Sequence, residues 1–212
     1  FGRLSSSGGT SSVAIGISSS ASTTNAIAVG GTAQATATGA VAFGQAAVVS
    51  AVDSIGIGRG VSAAATQQVL IGQGVSATAA GTLATIVGKP TGSVTGANVT
   101  AVGNNTNVGV GVAGVTVVGQ SASATAASST ALGSSSSAAG ASAVAAGSGA
   151  IANGAESIAV GGSATTSTHT NAIAIGFGAA TTGNNDGQWG SATDPVGLKG
   201  YADLDWPGGY VH

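Results

Sequence analysis

Ser157 to Gly176 reads SIAVGGSATTSTHTNAIAIG. It says nearly the same thing twice: Ile-Ala-Val-Gly at Ile158 to Gly161, then Ile-Ala-Ile-Gly at Ile173 to Gly176. β-Branched residues at every second position favour a strand, because side chains of an extended chain alternate between its faces and Val and Ile suit that backbone. A glycine closing each phrase marks a turn.

The phrase runs along most of the chain. Closing glycines stand at Gly16, Gly30, Gly44, Gly58, Gly72, Gly88, Gly103, Gly119, Gly133, Gly147, Gly161 and Gly176, and the step between them is nearly constant. Three residues before the glycine, all twelve positions are β-branched, from Val13 and Ile27 through Thr100 to Ile173. One residue before it, eleven of the twelve are large and apolar, and Ala146 is the exception. Between these columns stands Ala or Gly in nine coils, with Leu70, Ile86 and Val117 in the others. This is strand A. Three and five residues after the glycine, a second pair of columns holds only Ala, Val, Ser or Thr, as at Ala33 and Ala35. The residues between are mostly polar or small, such as Gln34, Ser62 and Ser123. This is strand B, with one buried and one wet face.

Two short strands and two turns account for one such step. Parallel pairing needs a connection of a dozen or so residues, and one coil of a solenoid supplies it. The expected fold is all-β: a parallel β-roll, or β-solenoid, of about 12 coils with a 14-residue repeat, A stacked on A and B on B. At ~4.8 Å per rung this is a rod of roughly 50 Å. The longer steps fit residues added at turns around Lys89-Pro90 and Gly109 to Gly114. A helix is excluded by the period of two and the recurrent glycine. The chain then divides into a lead-in and N-terminal cap (1–10), the roll (11–182) and a non-repeat C-terminal cap or tip (183–212).

The large residues of strand A are expected to face strand B inside the coil. The repeat core is then Val13, Ile15, Ile27, Val29, Val41, Phe43, Ile55, Ile57, Val69, Ile71, Ile158, Val160, Ile173 and Ile175, with Phe43 the lone large intruder. The small column, including Ala14, Ala28, Ala131 and Ala159, is left facing out. Strands apolar on both faces are usually buried on both. Identical chains packed side by side, most simply about a three-fold axis, would cover the stripe; a monomer that tolerates it is the alternative.

Composition narrows the function. Only 5% of the chain is charged, and the net charge of −2 leaves no basic footprint for nucleic acid. With no cysteine there is no disulfide framework and no thiolate metal site. No apolar run reaches the length of a spanning helix. No signal peptide and no Met are visible, so a processed product or an excerpt of a longer protein is expected. His169 and His212 have no acidic partner in the repeat, and nucleophile elbows, zinc-binding helices and phosphate loops are missing. Asp53 and Glu156 are isolated, unlike the carboxylates of a calcium-binding repeat, and no threonine column runs continuously on a wet face to organise ice. The chain is expected to be no enzyme and to need no cofactor or metal.

The segment 183–212 breaks the pattern and holds Trp189, Tyr201, Trp206 and Tyr210 beside Asp203 and Asp205. A solenoid needs an atypical piece over its last coil. The functional alternative is a tip site made by these six residues, aromatic rings stacking on sugars while carboxylates accept hydroxyl hydrogen bonds.

At Ser12-Val13-Ala14-Ile15-Gly16, at Ala26 to Gly30 followed by Ala33 and Ala35, and at Ser157 to Gly161 and Ala172 to Gly176, the chain resembles the YadA-type head of trimeric autotransporter adhesins. The likeness covers about residues 11 to 181. It implies a left-handed roll, a homotrimer, presentation outside the cell, and attachment to a host surface protein or glycan. The family's collagen-binding phrase, N-S-V-A-I-G-x-x-S, is approached only by Ser11 to Ser19, with Ser for the leading Asn. The family's neck, heptad stalk and membrane anchor are not in the sequence, so contact with a membrane is expected only through a missing anchor region. Similar rolls occur in phage tail fibres, which would place the chain in a virion tail. A structural subunit of an extracellular filament is a third reading.

Overall fold

The computed structural model describes residues 2–78, 83–191 and 194–195. The described residues contain no helix. Strand A recurs as Val13–Ile15, Ile27–Val29, Val41–Phe43, Ile55–Ile57, Val69–Ile71, Ala84–Lys89, Val99–Asn104, Thr116–Val118, Thr130–Leu132, Val144–Ala146, Ile158–Val160, Ile173–Ile175 and Gly187–Ser191. These stack in chain order in one parallel sheet, which an antiparallel strand, Asp194–Pro195, ends. Sequence columns are ladder register: Ala14 pairs with Ala28, Leu70 with Ile86 across one of the longer steps, and Ala159 with Ala174 across another. The fold is the expected parallel β-solenoid, with about 13 turns rather than 12.

The B strands form two sheets. One has six strands, from Ser6–Ser7 to Ser76–Ala77, and the other five, from Asn107–Val108 to Thr165–Ser167. They separate where the coil after Gly88 has only an isolated bridge between Ala77 and Val94. Pro90 lies in this coil and cannot donate a ladder hydrogen bond. The insertions expected near Lys89-Pro90 and Gly109 to Gly114 therefore stand. Two further insertions lie between Ala77 and Ala84 and at a bulge near Thr165–Ser167.

Stacking explains the closing glycine. At Gly133, φ is +127°, and a Cβ would lie 2.5 Å from the carbonyl oxygen of Gly147 on the next rung. A side chain would push the rungs apart, so only glycine fits. Five residues before each closing glycine, a second corner repeats in the left-handed region from Ser11 (φ 56°) to Asn185 (φ 57°).

The expected interior is turned inside out. The small column of strand A faces strand B: Ala28, Ala42, Ala101, Ala131, Ala145, Ala159 and Ala174 are fully buried, as are Ala33 and Ala35 of strand B. The residue four before the glycine joins them, as at Ala26, Ala40, Val99 and Ala143. The residues expected in the core point the other way. Val13, Ile15, Ile27, Phe43, Ile57, Ile71, Val160 and Ile173 are exposed, and Val29, Val41, Ile55, Val69, Ile158 and Ile175 are half-buried. The physical reason is thickness. With four inward side chains per coil, the slot between the sheets holds methyl-sized groups at interior density, and two facing rows of Ile would not fit. Larger side chains enter in the middle coils, where Gln68, Leu70, Val75 and Ile86 are fully buried. Gly56 takes the small column's place where Val49 and Val61 lie opposite, and a Cβ on it would sit 2.8 Å from Val49 Cγ2. Buried serines turn their hydroxyls to the chain itself: Ser129 Oγ donates to Ala126 O (2.6 Å), Ser136 to Gly133 O (2.9 Å) and Ser157 to Gly154 O (2.7 Å).

The repeat runs past 11–182 at both ends. Gly2 stacks on Gly16 as a closing glycine does, and Ser6–Ser7 pairs with Ser20–Ala21, so this stretch is half a coil rather than a lead-in. Leu4, a large apolar residue of the segment expected to cap the first coil, is exposed, and Phe1 lies outside the described residues. At the other end Gly187–Ser191 adds a rung in register, with Ile175 opposite Trp189.

Candidate functional site

The two faces of the roll differ in chemistry. The outer face of the A sheet carries two columns of large apolar side chains, and Ile15, Ile57, Ile71, Leu132 and Val160 are each about two-fifths exposed. The apolar run is broken in one column by Thr85, Thr100, Thr116 and Thr130, which pair in register over four rungs. This is a continuous threonine run on an outward face, contrary to the sequence expectation; it lies inside an apolar stripe, since Val87, Val102, Val118 and Leu132 continue the neighbouring column. The outer face of strand B is mainly hydroxyl and amide: Ser20, Gln34, Ser62, Ser76, Asn107, Ser123 and Ser137, with Val48 and Ile151 as apolar members. Its side chains bond along the stack, as Asn107 Nδ2 donating to Ser123 Oγ (3.1 Å) and Ser137 Oγ donating to Asn153 Oδ1 (3.0 Å). An open recess lined by Lys89, Pro90, Thr91, Asn104, Asn105, Gln120 and Ser121 lies beside the gap between the B sheets.

Of the six residues expected at a tip, the structure describes Trp189. Tyr201, Asp203, Asp205, Trp206 and Tyr210 lie outside the described residues. Trp189 is half exposed and occupies the outer apolar column of the last rung, above Ile175. It therefore belongs to the A-face stripe. The signal was in the sequence: Gly190 follows Gly176 by one ordinary step of the repeat, which makes Trp189 the residue before a closing glycine.

The phrase Ser11 to Ser19 is a corner, a strand and a turn. Ser12 Oγ donates to Gly9 O (2.7 Å) and buried Ser19 Oγ to Gly16 O (3.0 Å), so these hydroxyls are used within the coil and Val13 and Ile15 remain outward. His169 Nδ1 lies 2.9 Å from Thr181 Oγ1. Among the described residues no group of three or more His, Cys, Asp or Glu could hold a metal ion, and no helix is long and apolar enough to cross a membrane.

The profile of a family described as the YadA head domain repeat (2 copies) matches residues 7–33, 35–60, 116–136, 152–179 and 170–185, together just over half of the chain. The chain belongs to the YadA head domain repeat family. Such domains are of the YadA adhesin type, which is not an enzyme family. The longest unmatched stretch of this YadA head within the roll, 61–115, holds the added residues of three of its four long steps; the shorter one, 137–151, has coils of ordinary length. Among solved structures, the collagen-binding domain of the Yersinia adhesin YadA is similar, at 18% identity and a TM-score of 0.34, over 98% of this chain and 82% of that one. No curated protein matches.

Proposed function

We propose that this chain is the head of an extracellular adhesin that works as a homotrimer, with the A sheets turned toward a common axis and the hydroxyl- and amide-rich B faces turned toward a host surface protein or glycan. The observation that carries this reading is the contrast between the faces: a stripe of Val, Ile, Leu and Phe along the A sheet against a mainly polar B sheet. A stripe of this length on a soluble surface marks a contact. Fully burying a Val, Leu or Ile side chain is worth ~1.5–3 kcal/mol. Side chains already three-fifths covered have roughly 0.5–1 kcal/mol each left to gain, and the sum over both columns is on the order of 10 kcal/mol per chain before association costs. Membership of the YadA head family supports the adhesive role and the extracellular setting.

The test is adhesion of the assembled protein. Purified chain on beads is applied to immobilised matrix proteins, a glycan array and host cells, beside Leu132→Asp, which puts a charge in the stripe. The expected result is retained binding by the wild type and strong loss by the variant, because a monomer presents one B face instead of three. An assembled wild type that adheres to none of these surfaces would overturn the adhesive role.

A further inference from the structure

Every A strand is bracketed by two corner positions. One is the left-handed residue five before the closing glycine; the other is the residue just after that glycine. On several rungs the two corners carry matching chemistry. The rung closed by Gly58 has Asp53 and Arg59, that closed by Gly72 has Gln67 and Gln73, and that closed by Gly103 has Asn98 and Asn104. The rungs closed by Gly133 and Gly147 have serine at both corners. All six named side chains are exposed. Five of the described charges also separate by edge. Arg3, Arg59 and Lys89 each follow a closing glycine, while Asp53 and Glu156 lie at the opposite corner.

Within one chain these pairs cannot meet. Six positions of nearly extended backbone hold Asp53 and Arg59 roughly 15–20 Å apart, and no ion pair joins either to another described residue. A rotation axis parallel to the roll changes that. It keeps the rungs level and sets the trailing end of each A strand beside the leading end of the same strand in the next copy. We infer that Asp53 of one copy pairs with Arg59 of the next, and that the matched corners above and below, Gln67 with Gln73 and Asn98 with Asn104, make the corresponding amide contacts, so that the edges of the roll fix its rung-to-rung register with its neighbours. The apolar stripe supplies attraction but little register, because Val and Ile recur on nearly every rung. The Asp–Arg pair, found on a single rung, supplies the register. This inference rests on the proposed side-by-side assembly.

The chain has no cysteine, so an introduced pair is the only source of disulfides. The test is oxidation of the folded variant Asp53→Cys/Arg59→Cys, with each single variant as control and the mass of the wild type measured alongside. The inference expects covalent species of up to three chains from the double variant, none from the single variants, and reversal by reductant. It also expects Asp53→Arg to weaken assembly about tenfold at low ionic strength and Asp53→Arg/Arg59→Asp to restore it. A three-chain wild type whose double variant forms no inter-chain disulfide overturns the corner pairing alone. A wild type with the mass of one chain overturns both the pairing and the assembly on which it rests.

Discussion

Ala131 and Leu132 are adjacent in one strand and have opposite surroundings: Ala131 is fully buried between the sheets and Leu132 is 39% exposed. Substitutions at the two sites separate fold from assembly. Ala131→Leu overfills a slot sized for a methyl group and is expected to cost about 1–3 kcal/mol of stability, read as a lower denaturation midpoint by circular dichroism. Leu132→Ser leaves the isolated fold within about 0.5 kcal/mol and shows its effect in sedimentation, as a shift toward single chains. Equal loss of fold from both variants would contradict the facing of the strand. At Gly133 the constraint is backbone to backbone. Gly133→Ala places a methyl group against the Gly147 carbonyl and is expected to be more damaging than Ala131→Leu despite its smaller volume, measured in the same melts.

The rung is the element that the chain repeats, and it tolerates removal only in whole units. Deleting residues 129–142 joins a corner to the start of the next A strand and keeps every column in register. The expected product keeps its strand content by circular dichroism and a cooperative melt. Deleting 129–135 would set an A strand over a B strand, and loss of the ordered fold is expected. The period was legible because each rung repeats the same physical demands: a glycine where backbones cross, a β-branched residue in the strand, a small residue on strand B. Which face of strand A turns inward was not, because both of its faces are apolar and hydrophobicity alone places the larger residues inside. Coil size decides otherwise, and the column four residues before the glycine, from Ala26 to Ala172, Ala, Ser or Val at every position but Gln68, continues the inward set and carries that information. The last rung was missed because Gly187 and Gln188 replace the β-branched and alanine positions, leaving only Trp189-Gly190 to mark it. Of the expected tip, Trp189 can be placed, and it stands on the apolar stripe.

At the scale of the whole molecule, a thin roll buries methyl groups inside and leaves its largest apolar side chains outside. In the proposed assembly, a second layer of packing comes from other copies. Trp189 lies at the end of that stripe, so Trp189→Ala is expected to loosen the assembly at its last rung and lower its thermal midpoint while the rest of the stripe holds the copies together; an unchanged midpoint would argue that the ring is not part of the contact. The claim on which assembly and adhesion both depend is that the outward Val and Ile columns are covered by identical chains. Sedimentation equilibrium of the wild-type chain over a wide concentration range tests it most directly. A single species of three chain masses, persisting on dilution, is the predicted result. One chain mass at every concentration would contradict it.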